Sequence, residues 1–575
     1  MVETLPQRGV LRVVGPAELE AALQRDAKAK AQAEDAINAS EISDLGAFIR
    51  TQFEMFRNHR NDISAGWSNR LLVALRAFNG MYDPTKLAEI KRFGGSEVYA
   101  RLIAMKCRGA SSLLRDVYLS PDRSWGLEPP ADPDVPPTIV EQINQFVQAE
   151  IGQLQAMGQQ VDVGAIRDRV MQLMQGAREA AKKKAQLQSQ IAEDKIDELL
   201  GQGGFYKALS EFITDLPVFP FACIKGPVVK IVPTVAWTDG APSVEQKARL
   251  FWTRVSPFDI WWTPGVSDIE DASIIEKTRL SRADLNDLLD LPGYNHEEIR
   301  AVLDEYGRGG LADNWDSTDS ERAILESREN PQMNRSGMIT CLEFHGNVQG
   351  RMLLDYGLSK DMIEDELRDY YVIKVQLSPS PRKRHPYFMT SFEKVPGTPL
   401  GNGLTDILAD IQEACNATLR ALINNLSISS GPQVVVNAER LAPNEDAEEM
   451  YPWKRWFVQN DPLSNGGQPP ISFFMPTSNA QEMMGVYQWL NGLADDISAI
   501  PKYVTGGGAG AGAGRTASGL SMLMNNASKI LQTVAANIDR DVFEPLLQQL
   551  FDMLMLTDQS GLLSGQEQIR VMGVS

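Results

Sequence analysis

The stretch most suggestive of chemistry is Gly506-Gly507-Gly508-Ala509-Gly510-Ala511-Gly512-Ala513-Gly514, followed by Arg515-Thr516. A phosphate-cradling P-loop needs glycine five positions before its last glycine and then a lysine, so that backbone amides and an ammonium surround the phosphates. Here Ala509 stands where the first glycine belongs, and Arg515 replaces the lysine. The loop also follows an amphipathic helical pattern closed by Pro501 rather than a buried strand. Gly401-Asn402-Gly403 is a fragment of a dinucleotide fingerprint with Asp406 at its last position, and it reads as the start of a helix. No GxSxG, HExxH or DFG pattern occurs.

Metal and thiol chemistry lack a local signature as well. Cys107, Cys223, Cys341 and Cys415 are far apart with no CxxC pair, and read as reduced, largely buried thiols. His59, His296, His345 and His385 are equally scattered. The adjacent carboxylates Asp495-Asp496 read as an exposed helix face. No cofactor, metal site or enzymatic activity is expected.

Three basic stretches remain. Trp453-Lys454-Arg455-Trp456 can stack on bases or bind phosphate, but in a β unit it more often marks a protein interface with snorkelling cations. Arg382-Lys383-Arg384 lies in a proline-flanked loop, either solvated or in contact with DNA or a partner. Lys182-Lys183-Lys184 reads as a solvated helix face.

Composition narrows the classes. At 575 residues the chain exceeds one compact core, and its 43% hydrophobic and 23% charged fractions are those of folded protein. A formal net charge of −19 argues against a protein that wraps DNA on a basic surface. It does not argue against a conduit, where tight phosphate binding would be a defect. No apolar run reaches the roughly 18 residues of a membrane span. The densest stretch, Leu216 to Trp237, is broken by Lys225, Lys230 and prolines. The N-terminal residues lack the layout of a signal peptide, so a cytosolic product without membrane insertion is the expectation.

The elements follow from periodicity. Residues 1–40 are rich in Ala, Glu, Lys and Gln, which predicts a mobile arm or solvated helix. Helical spacing runs from Ile42 to Phe78, stopped by Asn79-Gly80, and again from Glu97 to Tyr118. A connector spans Glu128 to Pro137, and a helical pair spans Thr138 to Leu200, relieved near Gly158 to Gly164. Strand character appears from Val228 to Trp262, at Met338 to Phe344 and at Tyr370 to Leu377, with a helix starting at Ser281. Without regular βαβ alternation, the fold class is α+β.

The C-terminal third is the most regular. Leu404, Ile407, Leu408, Ile411, Cys415, Leu419, Leu422 and Leu426 form an amphipathic helix stopped by Gly431-Pro432. Short strands are predicted at Val434–Val436, Trp456–Val458 and Ile471–Phe474. A second helix begins at Ser478 with Gln481 placed for a capping box, carrying a stripe of Met483, Tyr487, Leu490, Leu493, Ile497 and Ile500. After the glycine-alanine loop, a long helix from Thr516 to Leu556 contains Pro545, which clashes with the carbonyl of Asp541 and predicts a kink.

Several stretches, in order, resemble portal proteins of tailed phages, especially short-tailed ones. They are Gly204–Leu209 leading to Phe221–Pro227; Val255–Ile260 with Asp271, Ala272 and Glu276; Pro399–Leu404 before Asp410, Gln412 and Asn416; and Gly514–Met524, the most specific. Together they span roughly residues 40 to 560. The resemblance implies a dodecameric ring with an α/β wing, two stem helices, a small β-containing clip and a long kinked helix. Carried across, residues 1–40 are the flexible arm, 41–400 the wing, 401–427 and 477–503 the stem, and 428–476 the clip. Residues 504–518 become the tunnel loop, with Gly506, Gly507, Gly508, Gly510, Gly512, Gly514 and Arg515 facing the channel or a neighbouring subunit, the neighbour being preferred for Arg515. Residues 519–558 become the kinked wing helix, and 559–575 the start of a crown or C-terminal tail, with the crown expected to be absent or truncated. The implied role is packaging and ejection of double-stranded DNA at one capsid vertex of the virion. The implied partners are copies of the chain itself, the terminase motor, the major capsid protein and tail adaptors, with Trp453–Trp456 as a clip interface. The alternatives are a structural ring that does not conduct DNA and, third, an enzyme whose site is assembled from distant residues.

Overall fold

The computed structural model describes residues 44–62, 66–120, 125–129, 135, 137–156, 163–238, 241–290, 294–308, 317–327, 338–348, 372, 374, 385–437, 441–442, 451, 453–458, 471–500 and 529–557. In chain order these form helices α1 (Asp44–Arg60), α2 (Ser68–Asn79), α3 (Pro84–Arg92), α4 (Leu102–Tyr118), α5 (Pro137–Ala156), α6 (Val163–Gln202) and α7 (Phe205–Asp215). Strands β1 (Ala222–Thr238), β2 (Ala241–Val255), β3 (Ile260–Trp262) and β4 (Ile274–Ser281) follow, then α8 (Arg282–Asp287), α9 (His296–Arg308), α10 (Ser317–Leu325), β5 (Met338–His345) and β6 (Tyr387–Thr390). Last come α11 (Leu404–Ile407), α12 (Ala409–Ser429), β7 (Gln433–Val436), β8 (Ile471–Phe474), α13 (Ala480–Ser498), a helix at 529–538, a π turn (Asp539–Phe543) and α14 (Glu544–Thr557). Helices with small antiparallel sheets make the fold α+β.

The chain divides into two compact units, each built from separated segments. The first takes residues 1–66, 259–316 and 331–385. Its sheet is antiparallel, in the order β3-β4-β5. Phe56 of α1 packs on Trp261 and Ile275, and the Arg60 guanidinium lies 4.6 Å from the centroid of the Trp261 ring. A second cluster of Leu285, Ile299 and Val302 holds α8 and α9 together. The α8 start is the expected one: the Ser281 hydroxyl accepts from the Asp284 amide while the Asp284 carboxylate accepts from the Ser281 amide.

The second unit holds the remaining residues. Its core forms where α4 meets α2 and α7, with Ile103, Cys107, Ala110, Leu114, Leu209, Phe212 and Ile213 all buried. β1 and β2 form a long hairpin, from Cys223 opposite Val255 to Thr238 opposite Ala241, and β6 adds to β1 over Ala222 to Lys225. Tyr118 stacks on Phe543 at 5.1 Å between ring centroids, joining α4 to the C-terminal helix.

Several boundaries differ from the periodicity. The single helix expected over Ile42–Phe78 is two helices, because the chain turns tightly at Gly66. A Cβ there would stand 2.3 Å from the Asp62 carbonyl oxygen. Gly80 does end α2, in the left-handed region at φ 72°. The helix expected from Glu97 begins at Leu102, and the Ser96 and Ala100 amides before it donate to side chains of α12 instead. The helix expected over Leu404–Leu426 is interrupted at Leu408, between α11 and α12. Trp456–Val458 is not a strand; it contributes one bridge, Leu441 to Val458. α13 starts one residue past the expected cap, with Asn479 at its N-cap and no side-chain capping bond there, so the Ser478–Gln481 box does not form. The strand expected at Tyr370–Leu377 and the helix expected over 516–528 lie largely or wholly outside the described residues, apart from Val372 and a bridge from Lys374 to Tyr294.

Pro545 interrupts the regular hydrogen bonding of its helix, as its chemistry demands. Proline supplies no amide for the carbonyl four residues earlier, that of Asp541. The helix widens into a π turn over Asp539–Phe543 just before it.

Candidate functional site

The most informative arrangement is the pair α12 and α13, which pack along each other and run antiparallel. The Asn479 amide at the start of α13 donates to Asn425 Oδ1 near the end of α12, at 3.1 Å. At the opposite end α11 meets α13. Between the two helices the chain makes the antiparallel β7–β8 hairpin, with Gln433 opposite Phe474 and Val436 opposite Ile471. Two helices thus carry a small β head at one end, and α13 leads toward residues 501–528 at the other.

A ladder of long polar side chains fixes α12 along its length. Gln412, Asn416, Arg420 and Asn424 recur every four residues, so they share one face. Gln412 Oε1 accepts the Ile103 amide at 3.0 Å, Asn416 Oδ1 accepts the Ala100 amide at 2.8 Å, and Asn424 Oδ1 accepts the Ser96 amide at 2.9 Å. The Arg420 guanidinium lies 5.1 Å from the Tyr82 ring centroid. Gln412 thus satisfies a first-turn amide of α4 that has no partner within its own helix, and Asn416 and Asn424 satisfy amides of the segment that precedes it.

The far end of α13 is held by a buried cation. Lys106 of α4 is fully buried, and its ammonium donates to Asp495 and to the Ile500 carbonyl. A cation beside the last carbonyls of a helix is favourably placed against the helix dipole. The chain leaves there through Ala499, left-handed at φ 51°, and buried Ile500. Asp495 is therefore an ion-pair partner on a partly buried face, not a member of an exposed acidic pair. Lys106 escaped sequence reasoning, although its neighbours Ile103, Ala104 and Cys107 place it on an apolar face.

At the root of the same unit, Arg70 donates to the Gly401 carbonyl at 2.9 Å and to Asp406 Oδ2 at 3.0 Å. Gly401-Asn402-Gly403 is thus the start of a helix, as its sequence suggests. Nearby in the fold, Asp215 is buried and paired with Arg254, whose Nη2 lies 2.9 Å from Oδ1. Burial pushes the Asp215 carboxyl up to about 6 against the opposing pull of Arg254. Asp541, at the π turn, accepts from Thr390 at 2.6 Å and pairs with Lys394. Burial raises the Tyr118 hydroxyl above the usual phenol range, and it lies 2.8 Å from both the Ala535 carbonyl and Asp539.

Of the residues singled out by sequence, Lys182, Lys183 and Lys184 form an exposed face between buried Ala181 and Ala185. Gly506, Gly507, Gly508, Gly510, Gly512, Gly514 and Arg515, and likewise Arg382, Lys383 and Arg384, lie outside the described residues. Trp453 to Trp456 are described. The Lys454 ammonium sits 3.9 Å from the Trp456 ring centroid, and its amide donates to the Tyr451 carbonyl at 3.2 Å, closing a turn with Trp453 inside it. Among the described residues, nearly half of the exposed large apolar side chains fall between Leu426 and Ile497, on the helix pair and its β head. No group of histidine, cysteine and carboxylate side chains suited to a metal ion occurs among the described residues, and no described helix is long and apolar enough to cross a membrane.

Family comparison places the chain. The model of the Phage SU10 portal protein family matches residues 74–560. The chain belongs to that family: it is a phage portal protein, a structural component of the virion at the capsid. No curated protein matches it.

Proposed function

We propose that copies of this chain close into a dodecameric ring at one capsid vertex, through which double-stranded DNA is packaged and later ejected. The observation that carries this reading is the antiparallel pair α12–α13 with its apolar β head, in a chain matched to the portal family over residues 74–560. In this assignment residues 401–427 and 477–503 are the stem and 428–476 the clip. The wing is 41–400, and 519–558 returns to it. The tunnel loop is 504–518, rooted where Lys106 grips the end of α13.

The charge fits the role. With a net charge of −19, the assembled surface repels phosphate, so moving DNA does not break a series of strong ion pairs. The energy for packaging comes from a separate terminase ATPase docking on the clip, later replaced there by tail adaptors. Particles assembled without this chain are expected to contain no genome, read as DNA content per purified particle. Full particles in its absence would contradict the reading and leave a ring that does not conduct DNA.

A further inference from the structure

One short helix of the second unit is held largely by polar contacts. α10 has 9 residues, too few to persist as an isolated helix in water. Of its large apolar side chains, Leu325 is buried and Ile324 is 67% exposed. The rest of its attachment is charged or hydrogen-bonded. Arg76 of α2 pairs with Glu321, and Asn79 Nδ2 donates to the Leu325 carbonyl at 2.7 Å. Arg322 is itself buried, and its Nη2 donates to Ser256 Oγ, just past β2, at 3.1 Å. The same guanidinium lies 4.8 Å from the centroid of the Phe258 ring.

Where α10 seats, two ion pairs meet like to like. Asp215, at the end of α7, holds Arg254 of β2, with Nη2 2.9 Å from Oδ1. Arg322 holds Glu326, with Nε 3.1 Å from Oε1. The Glu326 carboxylate acts on Asp215, and the Arg322 guanidinium acts on Arg254, so each charge meets its own sign. Glu211 of α7 adds a third carboxylate beside Asp215. Like charges inside a fold repel more strongly than in water. A proton on Asp215 removes its repulsion with Glu326. Burial, joined by the two carboxylates and opposed by Arg254, pushes that carboxyl up to about 6.

We propose that α10 is a proton-sensitive strap, seated on the end of β2 when Asp215 carries a proton and loosened when Asp215 ionises. Lifting α10 takes Glu326 away from Asp215 and makes ionisation easier, so the seated form holds the proton more tightly. Seating is therefore firmest in acid and weakens as pH rises through about 6. The strap does not depend on whether copies of the chain close into a ring.

Hydrogen exchange of the full chain, read by mass spectrometry and corrected for the intrinsic pH dependence of exchange, tests it. Protection over residues 317–327 is expected to fall by about threefold or more from about pH 5 to pH 7, since one linked proton permits up to about tenfold per pH unit. Helices α4 and α7 are expected to change less. Asp215→Asn keeps the shape of the uncharged side chain and is expected to hold the acid level of protection at both pH values. Glu326→Gln removes the facing carboxylate, leaves Asp215 in place, and is expected to reduce the fall. It also decides the matter if the asparagine variant folds poorly. Wild-type protection that does not change with pH, or an undiminished fall in the variants, would overturn the proposal. An equal loss of protection across α4, α7 and α10 would mean that Asp215 acts on the whole fold, and there would be no separate strap.

Discussion

Lys106 is a side chain whose role depends on distance in sequence and closeness in space. It is fully buried, and its partner Asp495 is nearly four hundred residues away. Removing one member of a buried pair leaves the other uncompensated. Lys106→Met is expected to cost about 2–4 kcal/mol of stability in urea unfolding, and Lys106→Met with Asp495→Leu less than either change alone. Asp215 yields a pH dependence. Its carboxyl is raised from 3.8 to about 6 in the folded chain. The fold therefore holds this proton more tightly than the unfolded chain does, and the contribution is complete below pH about 4 and is lost as pH rises toward 6. Asp215→Asn should remove that fall from the denaturation midpoints measured between pH 4 and pH 6.5. At this scale only local chemistry was legible. The helix starts at Ser281 and at Gly401–Gly403 are set by partners within a few residues. Nothing adjacent to Lys106 or Asp495 names the other.

The helix pair shows what periodicity reads and what it misses. The apolar stripes of α12 and α13, and the strands Gln433–Val436 and Ile471–Phe474 between them, follow from spacings of three, four and two. The polar face of α12 carries no such signal, because Gln412, Asn416 and Asn424 look like solvated residues until the chain at 96–103 is laid against them. That contact also explains why α4 begins at Leu102. Gln412→Ala with Asn416→Ala leaves the buried amides of Ile103 and Ala100 without acceptors, with an expected cost of about 2–4 kcal/mol. Faster hydrogen exchange should appear at those two amides, and unchanged exchange there would show that the ladder does not hold the segment. The π turn was half legible. Pro545 announces a defect, but whether a helix bends or widens depends on its surroundings. Here Thr390 and Lys394 hold Asp541, and Tyr118 meets Asp539.

At the scale of the whole molecule, the order of motifs carried more than any one of them. Four short stretches, each weak, pointed to the portal family, and the family model spans residues 74–560. Sequence did not reveal that the region read as one wing, 41–400, contributes to two compact units. Segments that enter and leave a unit repeatedly produce no shift in composition at their borders. The charge of −19 and the exposed apolar side chains of the β head are the whole-molecule features on which the proposed ring and DNA conduit rest.

The most direct test of the central claim is electron microscopy of the purified chain, with class averages viewed down the assembly axis. Twelve-fold rings with a central opening wide enough for a DNA duplex are the predicted result. A closed oligomer without an opening would contradict the account and favour a connector that never conducts DNA.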